Sequence, residues 1–183
     1  SVLTLHPGAE ERARLLDTHS TPPGPLHGIP IVVKDNFEIA GLPCTGGSAS
    51  LDTLIPSRDA EVVGRLEAAG AVIIAKTTMT EFAWGVWDTV GSAFDGPTRN
   101  PYNPHFASGG SSGGSAVAVS ANFAVAALGS DTGCSVRAPA SITNLVGLRP
   151  THGLISCQGL MPMNADWDTI GPMARWVGDV RTL

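Results

Sequence analysis

The chain has 183 residues, 43% of them hydrophobic and 15% charged, which is enough to bury a one-domain core and excludes a disordered chain. A formal net charge of -5 and the lack of any Lys/Arg run argue against the basic face that nucleic-acid contact requires and leave room for a small neutral or anionic substrate. Cys44, Cys134 and Cys157 are odd in number and widely spaced, so they suggest neither a disulfide framework nor a metal site and suit a reducing, cytoplasmic compartment.

No run of 18 apolar residues occurs, so no membrane segment is expected, and "SVLTLHPGAEERARLL" is too charged for a signal sequence. The start at Ser1 and the end at "VGDVRTL" are read as marks of a piece of a longer chain, in which case a targeting signal would lie outside it.

In chain order, "PGAEERARLLDTHS" predicts a short helix with Ala13 and Leu16 inward, broken by Pro22, Pro23, Gly24 and Pro25. The apolar run Ile29 to Val33 predicts a buried strand that delivers Lys34 and Asp35 at its end, where open α/β sheets place ligands. "DAEVVGRLEAAG" predicts a helix capped by Asp59, with Val62, Val63 and Leu66 inward and Gly70 as its stop. "AVIIAKT" predicts a second buried strand. Thr78 with Glu81 then forms a capping-box pattern for a helix through Phe82 and Trp84.

From Asp88 to Ser115 the text turns to Gly, Ser, Asn and Pro, a long loop of the kind that carries function. "AVAVSANFAVAALGS" resumes as a helix and another buried strand. Helices alternating with apolar strands predict one α/β domain over residues 1–183, with a mixed, largely parallel sheet covered by helices.

Two Gly/Ser turns, Ser108 to Ser115 and Gly129 to Ser135, can point backbone N–H groups into one cavity, as a phosphate or an oxyanion requires. A phosphate loop fails on spacing because no Lys follows either turn, and no dinucleotide fingerprint is present. Gly110 to Gly114 match the G-x-S-x-G nucleophile elbow in form, but "NPYNPHFAS" cannot supply the strand that must precede it. His105 and His152 are candidate bases for a Ser-His-Asp hydrolase, the weaker enzyme reading.

"GPLHGIPIVVKDN", "SGGSSGGSAVAVS" and "GSDTGCSVRAPASITNLVGLRPTHG", followed by "DTIGPMAR", resemble in order and spacing the amidase signature family of serine hydrolases. The likeness covers nearly the whole chain. It implies an incomplete amidase signature fold whose later part is absent, and hydrolysis of a small-molecule amide through an acyl-enzyme, with no metal or organic cofactor. The Ser, cis-Ser, Lys triad of that family falls on Ser135, Ser111 and Lys34, with a cis Gly110–Ser111 bond. The oxyanion hole falls on the backbone N–H groups of Thr132, Gly133, Cys134 and Ser135. Ser130, Asp131 and Arg137 correspond to supporting residues.

Cys134 departs from the family pattern, which usually has Gly there; its Cβ would intrude on the hole, and a positive φ would be strained. The thiol is also a second candidate nucleophile, ranked below Ser135 because choosing it shifts the register by one residue. Two further readings stand beside the amidase: the A subunit of a glutamyl-tRNA amidotransferase, and a non-catalytic binding module that keeps the fold. A homodimer is compatible with the sequence.

Overall fold

The computed structural model describes residues 1–18, 24–86, 93–94 and 96–183. Pro22 and Pro23, the expected helix breakers, lie outside the described residues, as does part of the loop from 88 to 115. The chain folds as α/β around a six-stranded mixed sheet of order β1-β3-β2-β4-β6-β5.

The three apolar runs form its centre. β2 (Pro30–Lys34) lies parallel to both β3 (Val72–Thr77) and β4 (Ala126–Asp131). Residues such as Ile31, Val32 and Val33 are fully buried, because a parallel strand covered on both faces has no polar side. The flanks are antiparallel: β1 (Val2–Leu5) on β3, β6 (Thr169–Ala174) on β4, and β5 (Val146–Gly147) on β6.

Strand alternation divides the core in two. Ile31, Val33 and Leu128 join Val63 and Leu66 of α2 (Glu61–Ala68) and Val180 of α5 (Val177–Thr182) on one face. On the other, Val32 and Ala127 join Ala116 and Val119 of α3 (Gly113–Ser120) and Ala140 of α4 (Arg137–Ile142). A period of two therefore turns Lys34, like Val32, toward α3. The remaining helix, α1 (Ala9–Asp17), buries Leu16 as expected.

Two local expectations are corrected. The Thr78–Glu81 box starts no helix, and one 3-10 turn, Glu81–Ala83, replaces it, with Phe82 and Ala83 at positive φ. Tertiary partners take the groups the box needed: Ser48 Oγ donates to Glu81 Oε1 at 2.6 Å, and Thr78 N donates to Ser1 O at 2.8 Å. Asp59 does not cap α2, whose N-cap is Ala60; its Oδ1 accepts from Ala40 N at 2.8 Å instead.

α3 is buried along Gly113 to Val119 and seats its first turn on the end of β3. Gly114 allows this, since a Cβ there would lie 2.3 Å from Thr78 O. No helix among the described residues is long and apolar enough to cross a membrane.

Candidate active site

Lys34 ends β2 with no solvent exposure. Its Nζ reaches Ser111 Oγ at 2.7 Å, Ser130 Oγ at 2.8 Å and Ser130 O at 3.4 Å. Burial pushes its pKa down to about 7, against the attraction of Asp168 and then Asp131, so the neutral amine is well populated near neutrality. Asn36, two residues on, donates from Nδ2 to Ser130 Oγ at 3.0 Å and to Met161 O at 3.3 Å. Ser111 follows a cis Gly110–Ser111 peptide bond and is also fully buried.

The turn after β4 presents backbone donors. Among the described residues, the N–H groups of Thr132, Gly133, Cys134 and Ser135 meet no acceptor, whereas the next two, Val136 and Arg137, donate to Asp131 Oδ2 at 3.0 and 3.3 Å. Asp131 thus caps α4 from inside the turn and leaves the four preceding donors free. Arg137 Nε, at 3.1 Å, and Arg149 Nη1, also at 3.1 Å, clamp that carboxylate from two sides. Burial works to raise the Asp131 pKa, but its hydrogen bonds from Arg137 and the two N–H groups outweigh it and hold the carboxyl below its ordinary value.

Arg137 also donates to Gly133 O, and Thr132 Oγ1 donates to Asp168 Oδ1 at 2.5 Å. The first half of the turn is therefore pinned from two sides.

Ser135 is 6% exposed and is brought beside the Ser111 segment by the backbone, Ser112 N donating to Ser135 O at 3.2 Å. Among the described residues no hydrogen bond joins the Ser111 and Ser135 hydroxyls. Cys134 does not have a positive φ, so the strain expected for a side chain there does not arise. His105 and His152 are exposed, and His152 Nε2 lies 3.4 Å from Ala165 O, a contact unrelated to this cluster.

The structure brings the expected Lys34, Ser111, Ser130, Asp131, 132–135 turn and Arg137 to one place and adds Asn36, Arg149 and Asp168, which were not expected from the sequence. Strand alternation was a usable signal for Asn36, which lies at i+2 from Lys34. Arg149 and Asp168 join through tertiary pairing alone. A groove of about 410 Å³ lined by Leu26, Val62, Leu66, Leu154 and Leu183 contains none of these groups, so cavity size does not mark the site.

Comparison with known proteins gives a family model described as Amidase, matching residues 1–183. The A subunit of glutamyl-tRNA(Gln) amidotransferase from Lachnospira eligens is 51% identical over 160 residues, covering 87% of this chain and 33% of that protein. The protein of the same name from Methanosarcina barkeri is 44% identical over 181 residues, covering 99% and 38%. Native peptide amidase from Stenotrophomonas maltophilia superposes with a TM-score of 0.92 at 42% identity, over 98% of this chain and 38% of that one. An amidase family protein from Bacillus anthracis gives 0.93 at 40% identity, over 100% and 37%. The chain spans about a third of the length of the curated relatives it matches.

Proposed function

Since this chain belongs to the amidase signature family, we propose that it cleaves a carboxamide C–N bond through an acyl-enzyme on Ser135. The observation that carries this reading is the buried Lys34–Ser111 contact at 2.7 Å, with the amine held near pKa 7. A Ser hydroxyl needs a base, and a Lys serves only when neutral.

In this scheme Ser135 Oγ attacks the carbonyl carbon, and its proton passes through Ser111 to Lys34 Nζ. The oxyanion lies against the free N–H groups of residues 132–135. Collapse breaks the C–N bond while Lys34, through Ser111, returns the proton to the departing ammonia or amine. Water then repeats the sequence and releases the acid. Ser111 suits the relay because a hydroxyl donates and accepts at once, and its contact with Ser135 tightens as substrate binds. The scheme uses no metal or organic cofactor.

Covalent labelling by a fluorophosphonate tests this reading. Labelling at Ser135 that is lost in Ser135→Ala and strongly slowed in Lys34→Ala supports it; an unlabelled protein supports the non-catalytic module.

A second reading is favoured by the names of curated relatives at 51% and 44% identity: an amidotransferase component that releases ammonia for amide transfer to a charged tRNA. Both readings share the same acylation on Ser135. They part on whether amide cleavage by the natural protein depends on the charged tRNA and companion subunits.

A further inference from the structure

Asp168 stands just before β6 and is 3% exposed. Its Oδ1 accepts from Thr132 Oγ1 at 2.5 Å, and its Oδ2 accepts from Met163 N at 2.9 Å and Asn164 N at 3.1 Å. No Lys, Arg or His nitrogen lies within 4.0 Å of this carboxylate among the described residues. This buried carboxylate is held only by a hydroxyl and backbone N–H groups and has no cation of its own among the described residues.

The other charges around Lys34 are matched. Asp131, from β4, is clamped by Arg137 of α4 and by Arg149. Asp35, next to Lys34 in the chain, is paired with Lys76 of β3 at 2.9 Å. Cys157, whose Sγ lies 3.7 Å from Asp168 O, is kept neutral because burial raises its pKa. Ser111, Ser130 and Asn36 do not titrate. Lys34 itself forms no ion pair among the described residues, so an ammonium formed there during reaction has no contact counter-ion.

The β4–β6 register, Ser130 opposite Ile170 and Asp131 opposite Thr169, sets Asp168 across from Thr132, two residues from the Ser130 hydroxyl that Lys34 Nζ contacts at 2.8 Å. We infer that Asp168 is a positioning residue for this reaction: it holds the free N–H run through Thr132 and supplies an unmatched negative charge at the Lys34 end of the sheet. The inference rests on Lys34 being the base of the proposed mechanism. It joins the two halves of that mechanism, since one carboxylate orients the donors that receive the oxyanion and stabilises the ammonium formed at the same moment. The direction agrees with Asp168 being the larger of the two attractions opposing desolvation of Lys34.

The test is the pH dependence of fluorophosphonate acylation, measured on the natural protein and its variants. In the wild type, acylation rises with pH as Lys34 loses its proton. Asp168→Asn keeps the shape and removes the charge: the rising limb is expected about one pH unit lower, with a plateau about tenfold lower because the base is weaker. Thr132→Val removes only the link to the turn: the plateau falls and the limb stays. Should Asp168→Asn fail to fold, Asp168→Glu is read instead, with a lower plateau and an unmoved limb.

An unmoved limb in folded Asp168→Asn, a moved one in Asp168→Glu, or a shift in Thr132→Val overturns the inference. If the wild type has no rising limb, or Lys34→Ala keeps it, the mechanism itself falls, and the two failures are distinct.

Discussion

Asp35 and Lys76 form an ion pair at 2.9 Å with both side chains wholly enclosed, one residue beyond the candidate base. Lys76 also donates to Asp35 O at 3.1 Å and Pro43 O at 2.6 Å, while Thr45 N and Thr45 Oγ1 donate to Asp35 Oδ2. The pair fixes the chain as it leaves β2 with Lys34. Removing one partner strands a buried charge, so Lys76→Met is expected to cost about 3–5 kcal/mol in denaturant unfolding. Replacing both partners, Asp35→Leu with Lys76→Met, should recover much of that loss. A single variant within about 1 kcal/mol of wild type contradicts the account.

Acylation should rise with pH through about 7, because the neutral amine of Lys34 exists above that value and the ammonium below it. Lys34→Ala and Ser111→Ala should each lower the acylation rate by about 10² to 10⁴. The double variant should lose little more than the worse single one, since the two act as one unit. Additive losses in the rate measurement would separate Ser111 from the relay.

The same residue weakens the fold. The unfolded chain carries a proton on Lys34 between about pH 7 and 10.5 that the folded chain does not, so its cost is greatest below 7 and fades toward 10.5. Lys34→Met should therefore stabilise the protein at pH 7 by on the order of 1–3 kcal/mol, despite the lost hydroxyl contacts. Near pH 10.5 the gain should vanish or reverse. Thermal melts at the two pH values supply the comparison.

Cys134→Gly should keep acylation within a few-fold of wild type. Only the N–H of residue 134 belongs to the donor run, and the backbone there needs no positive φ. Ser135→Ala should abolish covalent labelling. The reverse pattern, with Ser135→Ala labelled and Cys134→Gly silent, would make the thiol the nucleophile.

Gly114→Ala should lower both stability and acylation, because the new Cβ would meet Thr78 O at 2.3 Å and Thr78 N at 2.6 Å, backbone atoms that cannot move aside cheaply. A cost of roughly 1–3 kcal/mol or more is expected, with Ser111 displaced together with α3. Gly64→Ala, on exposed helix surface with nothing within 4 Å, is the control and should be neutral or slightly stabilising. Paired denaturation curves decide between them.

The centre of the sheet was legible because β2, β3 and β4 are short apolar runs, each ending in a polar residue at the same end of the sheet: Lys34, Thr77 and Asp131. Its antiparallel flanks were not. β6 carries Gly171 and Pro172, a poor strand by local preference. It pairs because β4 lies on one side while Leu148 N donates to Pro172 O on the other. Four residues of β1 beside a charged helix gave no period to read. Within the site, the Gly/Ser motifs announced the turn and the two serines. Asp168 and Arg149 stayed hidden, since what recruits them is a hydroxyl and a carboxylate elsewhere in the chain.

The cluster draws Lys34 from β2, Ser111 from the approach to α3, Ser135 from the turn after β4 and Asp168 from the approach to β6, with separations of 77 positions between Lys34 and Ser111 and 36 between Thr132 and Asp168. No local segment contains more than one of these four residues. Closing such long loops is slow compared with forming helices, so the candidate site is expected to assemble late in folding, after most secondary structure is in place. On the proposed mechanism a partly unfolded chain should be chemically silent, and covalent labelling should count only molecules whose sheet has closed from β2 through β6.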